Sequence, residues 1–159
     1  MNILITSAGR RVSLVRAFQK ELKSRVPGGL VFAADAAPDI SAACQVADGS
    51  FKVPRVTDTA YTPTLIQKCK EADITLIIPT IDTELDVLAK NKEAFMQAGI
   101  TPLVSDESFI SKCRNKRIIH QFFTDHGIQV AREYSKTDYE LPLFIKPEDG
   151  SRSINTYLI

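Results

Sequence analysis

The opening stretch, Met1-Asn-Ile-Leu-Ile-Thr-Ser-Ala-Gly-Arg-Arg-Val12, decides the fold. Ile3-Leu4-Ile5 is a short, unbroken apolar run, the pattern of a strand buried on both faces in a parallel sheet. Thr6-Ser7-Ala8-Gly9 ends it, and a helix is expected from about Arg10 to Val26. Val12, Val15, Phe18 and Leu22 fall near one face of that helix, with Arg11, Lys20, Glu21 and Lys23 elsewhere. Pro27-Gly28-Gly29 stops it. The order of strand, small-residue turn and amphipathic helix is the first half of a βαβ unit.

The same order recurs downstream. Leu30-Val31-Phe32-Ala33-Ala34 reads as a second strand ending at Asp35, and Pro38 opens a short helix through Ala43 and Val46. Phe51-Lys52-Val53 suits a short third strand. Tyr61 to Ala72 reads as a helix with Leu65, Ile66 and Cys69 inward. Ile74-Thr75-Leu76-Ile77-Ile78 is the clearest strand, closed by Pro79. A helix from about Thr83 to Ala98 follows, with Leu85, Leu88, Ala89, Phe95 and Met96 inward and Gly99 as its stop. Pro102-Leu103-Val104 is a further strand. Residues 1 to about 105 are therefore expected to form an α/β domain with a doubly wound parallel sheet.

The rhythm then changes. Asp106 can cap a short helix. A second helix, about Lys116 to His126, places Ile118, Ile119, Phe122 and Phe123 on one face. Leu143-Phe144-Ile145, the turn at Asp149-Gly150-Ser151 and the run to Ile159 read as a β-hairpin opening a new sheet.

Composition narrows the function classes. Twenty Lys+Arg against nineteen Asp+Glu leave a net charge of +1, so no global field favours nucleic acid or an anionic membrane. No apolar run approaches the roughly 20 residues that span a bilayer, and no secretory signal precedes the first strand. Cys44, Cys69 and Cys113 are odd in number and lack CxxC spacing, so they read as small core or partly buried residues and not as a disulfide framework or zinc site. A cytoplasmic setting fits free thiols.

In open α/β sheets ligands sit outside the carboxyl ends of the strands. Three polar clusters fall there: Ser7, Gly9, Arg10 and Arg11 after the first strand, Asp35 after the second, and Thr80, Asp82 and Glu84 after the Ile74–Ile78 strand. A turn running into a helix N-terminus favours an anion through its free N–H groups. The plainer reading is that Gly9 only makes the turn and the arginines are solvated. A dinucleotide site would use Asp35 for a ribose, but the first turn has one glycine where G-x-G-x-x-G needs three, and Arg11 fills the second glycine position. Asp82 and Glu84 read either as a paired site or as ordinary helix-start acids; no metal-ligand set is visible. In the tail, Lys146 lies among apolar neighbours beside Gly150-Ser151-Arg152-Ser153, a turn whose N–H groups could cradle phosphate.

These motifs, in this order, resemble the ATP-grasp superfamily, most closely the short form of the carbamoyl-phosphate-synthase large-subunit type. Ile3-Leu-Ile-Thr-Ser-Ala-Gly-Arg-Arg-Val12 and Ile78-Pro-Thr-Ile-Asp-Thr-Glu-Leu85 are similar to its Rossmann-like pre-ATP-grasp domain. Asn115-Lys116 and Phe144-Ile-Lys-Pro-Glu-Asp-Gly-Ser-Arg-Ser153 are similar to the start of its ATP-grasp domain. The resemblance implies a ligase in which ATP, with magnesium, phosphorylates a small-molecule carboxylate and a nucleophile attacks the acyl phosphate. By position it gives Lys116 as the first basic nucleotide contact, Lys146 as the strand lysine near the phosphates, and Gly150, Ser151, Arg152 and Ser153 as the phosphate-covering loop. Ser7, Gly9, Arg10, Arg11, Asp35, Thr80, Asp82 and Glu84 would line the substrate side. Asn115 stands where the family often has Asp, and the loop is richer in serine than in glycine.

The implied organisation is residues 1–105 as the pre-ATP-grasp domain and 106–159 as a helical linker and first hairpin. A homodimer is compatible with it. The family's adenine-hinge residues, acidic magnesium ligands and catalytic arginine follow the phosphate loop, so the chain alone is expected to be an inactive amino-terminal part. The alternative is a non-catalytic Rossmann-like module for a small anion or a partner.

Overall fold

The computed structural model describes residues 1–150 and 153–159. The chain divides into two units, Met1–Asp106 and Glu107–Ile159.

The first unit is a five-stranded parallel sheet, β1 (Asn2–Thr6), β2 (Val31–Asp35), β3 (Gly49–Lys52), β4 (Ile74–Ile78) and β5 (Thr101–Pro102), in the order β3-β2-β1-β4-β5. The expected doubly wound sheet is therefore the observed one. β1 is central, and its side chains feed two cores by simple alternation. Leu4 points into a cluster with Ile74, Ile77, Leu65, Cys69, Leu88 and Phe95. Ile3 and Ile5 point into the other, with Val15, Leu22, Val31, Ala33 and Cys44. An unbroken apolar run is what a strand covered on both faces requires.

Helix α1 (Val12–Arg25) and the short α2 (Ala42–Val46) supply the second core; α3 (Tyr61–Glu71), α4 (Asp82–Lys90) and α5 (Lys92–Gln97) supply the first. A 3-10 turn at Pro38–Ile40 precedes α2. Gly49, opening β3, lies so close to the Phe32 ring that a Cβ there would come within 2.5 Å of it.

Several boundaries differ from the sequence reading. α1 starts at Val12, because Arg11 N–H closes a tight turn onto the Ala8 carbonyl at 2.9 Å; Arg10 and Arg11 therefore precede the helix. The single helix expected over Thr83–Ala98 is broken at Asn91, whose side-chain Nδ2 donates at 2.8 Å to the Val87 carbonyl, in competition with the residue's own helical N–H at 3.2 Å. Such local bonding competes with helix continuation. Met96, expected inward, is exposed. The last strand pairs over Thr101–Pro102 and adds only one further bond, Leu103 N to the Ile77 carbonyl at 2.8 Å.

The second unit holds α6 (Glu107–Arg114), α7 (Lys116–Asp125) and an antiparallel pair, β6 (Phe144–Ile145) and β7 (Tyr157–Leu158). Asn115 caps α7, its Oδ1 accepting from the Arg117 and Ile118 amides at 3.0 and 3.1 Å. Ile110 is buried, whereas Phe144, Ile145, Tyr157 and Leu158 are exposed. No helix among the described residues is long and apolar enough to cross a membrane.

Cys44 and Cys69 are buried, as expected of core thiols; Cys113 is exposed on α6, against expectation. Burial pushes the Cys69 thiol up to about 12 from an ordinary 9.0. Between those values the unfolded chain has lost a proton that the native state keeps. Stability from this group is therefore whole below about pH 9 and falls as pH rises above it. Urea denaturation at about pH 8 and about pH 10 should show a loss of roughly 1 kcal/mol that Cys69→Ala removes.

Candidate functional site

The strand order reverses between β1 and β4: β2 and β3 lie on one side of β1, β4 and β5 on the other. The loops leaving the carboxyl ends of β1 and β4 flank this reversal, and the crevice between such loops is the usual ligand position in sheets of this kind. Thr6, Ser7, Arg11, Thr80 and Glu84 meet there.

Glu84 is the innermost. It sits in the first turn of α4 yet is only 1% exposed. Its Oε2 accepts from Thr6 Oγ1 at 2.8 Å; its Oε1 accepts from Ser7 Oγ at 2.6 Å and from Tyr61 OH at 2.8 Å. Burying an acid is costly unless its acceptor sites are filled, and three hydroxyls fill them. Burial, and then the neighbouring Glu84, push the Tyr61 phenol well above the ordinary tyrosine range. The phenol therefore stays a donor to the carboxyl group.

Ser7 has φ +47°, a left-handed conformation that costs a non-glycine residue on the order of 1 kcal/mol. Its hydroxyl is held by Glu84, and its carbonyl accepts from Thr80 Oγ1 at 2.9 Å. Thr80 Oγ1 also reaches the Thr6 carbonyl at 2.8 Å, stitching the two loops together. Arg11 bridges them from outside. Its Nη2 donates to the Thr80 carbonyl at 2.7 Å and its Nη1 to the Ser7 carbonyl at 3.4 Å. The guanidinium is exposed, and both of these partners are neutral carbonyls.

Other expected residues are placed differently. Gly9, at φ +49°, makes the turn, but its N–H donates to Asp35 Oδ2 at 2.9 Å. The Ala8 and Arg11 amides are likewise bonded, to the Ala34 and Ala8 carbonyls. The Ala8, Gly9 and Arg11 amides are thus consumed by the fold, and Arg11 brings positive charge to the crevice. Asp35 is consumed too: Oδ1 accepts from the Ala37 amide at 3.1 Å. Arg10 and Asp82 are exposed. Among the described residues no group of three or more His, Cys, Asp or Glu could hold a metal ion. Thr6 and Tyr61 were not singled out in the sequence; Thr6 closes an apolar strand and Tyr61 opens an apolar helix face, so neither stood out.

In the second unit, Lys116 Nζ donates to the Gly150 carbonyl at 3.1 Å and contacts the Glu148 carbonyl at 3.5 Å. Asn115 Nδ2 holds Glu148 Oε1 at 2.7 Å, and Arg114 holds Asp149 through bonds of 3.1 and 3.2 Å. Lys116 and the turn at Glu148–Gly150 are therefore together. Lys146 is exposed just after β6, and Ser153 has φ +56°. Ser151 and Arg152, expected in the phosphate loop, lie outside the described residues.

Residues 3–103 match the family model described as PylC-like, N-terminal domain. The chain belongs to this family. No curated protein matches it by sequence. Among solved structures it is similar to an L-amino acid ligase from Bacillus licheniformis, with a TM-score of 0.70 at 17% identity over 99% of this chain and 38% of that one. It is also similar to Rhizobium etli pyruvate carboxylase, with a TM-score of 0.69 at 15% identity over 100% of this chain and 15% of that one. A third is the biotin carboxylase domain dimer of Hydrogenobacter thermophilus 2-oxoglutarate carboxylase, in complex with MgADP, ADP and bicarbonate, with a TM-score of 0.70 at 12% identity over 98% and 37%. At these identities the likeness is one of fold: the chain shares the amino-terminal α/β fold of ATP-grasp-type ligases and carboxylases, and spans well under half of each.

The hydroxyl cluster gives a direct test. Tyr61→Phe removes one buried donor from Glu84 and should destabilise the chain by about 1–3 kcal/mol, read from the urea midpoint at unchanged slope.

Proposed function

We propose that the chain is the amino-terminal part of an ATP-dependent carboxylate ligase, and that the crevice between β1 and β4 receives an anionic group of its small-molecule substrate. The observation that carries this reading is Arg11. Its forked guanidinium stands at the carboxyl edge of the sheet, held by the neutral Ser7 and Thr80 carbonyls. A guanidinium so held keeps its charge and further N–H donors for a carboxylate or phosphate. Membership of the PylC-like N-terminal domain family and the fold shared with ligases and carboxylases support the same reading.

The reaction we propose is carboxylate activation by ATP, in the manner of the carbamoyl-phosphate-synthase-like group, in a cytoplasmic enzyme. Lys116 and Lys146 are the cations of the second unit suited to nucleotide phosphates, with Gly150 and Ser153 bounding the covering loop. The residue we assign to the substrate side is Arg11, braced by the backbone carbonyls of Ser7 and Thr80, with Arg10 and Asp82 at its exposed rim. Magnesium-bound ATP would supply the phosphoryl group; the described residues offer it no acidic cluster, so its metal ligands belong to other parts of the enzyme.

Two outcomes are expected. In the full-length enzyme, Arg11→Ala should weaken binding of the carboxylate substrate by about 1.5–3 kcal/mol, the range for a charge-assisted hydrogen bond, measured by titration against wild type. Equal affinities would reduce Arg11 to a solvated loop arginine. The 159-residue chain alone should not turn over ATP, because its described residues offer no acidic cluster to hold a metal that would neutralise charge at the β- and γ-phosphates. Magnesium-dependent hydrolysis by the purified chain, lost on Lys146→Ala, would overturn that expectation.

A further inference from the structure

Glu84 shares its sequence setting with Asp82: both are acids in the first turn of α4. Asp82 is exposed, as a residue that only favours a helix start is. Glu84 is buried and binds three hydroxyls from three separate places: Thr6 at the end of β1, Ser7 in the following loop, and Tyr61 at the start of α3. Both of its oxygens are already engaged, so Glu84 is not presented to a ligand. The question is what the buried acid holds.

It holds the backbone of Ser7. The left-handed φ of +47° is unfavourable for serine, and the 2.6 Å bond from Ser7 Oγ to Glu84 is the contact that offsets it. In that conformation the Ser7 carbonyl faces Thr80 and Arg11. Thr80 Oγ1 bonds the Thr6 and Ser7 carbonyls, and Arg11 spans the Thr80 and Ser7 carbonyls. A continuous chain of contacts thus runs from the buried acid to the exposed cation. Relaxation of Ser7 to a right-handed or extended conformation would turn its carbonyl away and release one of the two oxygens that aim the guanidinium.

We infer that Glu84 is a positioning residue: through the left-handed backbone of Ser7 it fixes the direction in which Arg11 presents its guanidinium to an incoming carboxylate or phosphate. This rests on the reading of Arg11 as an anion-binding residue, and it removes Glu84 from the groups that touch substrate.

The test separates a positioning role from simple stability. Glycine adopts a left-handed φ without help, whereas alanine does not. Ser7→Gly should therefore keep the Arg11 geometry although the hydroxyl is gone, and Ser7→Ala should lose it, as Glu84→Gln should. Leu65→Ala, a core truncation away from the chain of contacts, is the control for destabilisation. Two readouts apply to the 159-residue chain. One is the NMR signal of the Arg11 Nε–H; the other is titration with inorganic phosphate and, separately, acetate.

The Arg11 signal should shift in Ser7→Ala and Glu84→Gln but stay near wild type in Ser7→Gly and Leu65→Ala. Anion affinity should fall roughly tenfold in the first pair and hold in the second. A Ser7→Gly protein that behaves like Ser7→Ala would overturn the proposal, because the hydroxyl and not the backbone would then matter. So would an Arg11 signal untouched by Ser7→Ala; that comparison stands even if Glu84→Gln does not fold. A wild-type chain that binds neither anion would sink the anion-site reading, while the Arg11 signal would still decide the positioning role.

Discussion

The architecture depends on one buried acid. The parallel sheet is apolar almost to its edge, with Ile3, Leu4 and Ile5 of β1 covered on both faces. At its carboxyl end that core must stop, and it stops in a polar clasp. Glu84 on α4 gathers Thr6, Ser7 and Tyr61, so β1, its following loop, α3 and α4 are fastened at one point. An isolated carboxyl group at such a depth would be prohibitive; one with its acceptor sites filled is a rigid joint. No buried side-chain nitrogen or oxygen among the described residues lacks a partner, so the cost of burying the acid is met locally.

The joint also explains the division of labour at the crevice. Groups that sequence position alone would assign to a ligand are spent on the protein itself. Asp35 holds the Gly9 and Ala37 amides, and Glu84 holds three hydroxyls. Arg11 is different because carbonyls, not acids, hold it. Three candidates of similar standing in the sequence thereby separate into two braces and one presented charge.

What was legible in the sequence follows from range. β1 and β4 were plain because burial on both faces makes the run almost wholly apolar, with Thr75 the one polar residue inside β4. The edge strands were read less accurately: β3 begins at Gly49 and β5 ends at Pro102, and in both every second residue is exposed, so neither shows an unbroken apolar run. The break between α4 and α5 was hidden because Asn91 can lie within a helix or interrupt it, and only its bond to the Val87 carbonyl decides. Glu84 was picked out for the wrong reason. Its neighbour Asp82 carries the same local signal, and the difference lies in Tyr61 and Thr6, 23 and 78 positions away. The second unit offers less to read, since β6 and β7 are two residues each and expose their apolar side chains; a lone two-stranded hairpin has little stability of its own.

The central place of β1 has a consequence for synthesis. Of the five strands in this sheet, β1 is made before the other four, which are arranged around it, directly or at one remove. Its β2 side can be covered once the first crossover is made, but its β4 side waits for Ile74–Ile78, some seventy residues later. Until then the nascent chain carries an apolar strand with one edge open and without the acid that will lock its end. Vectorial growth thus leaves β1 half-paired until completion of β4 and the first turn of α4 closes both gaps together.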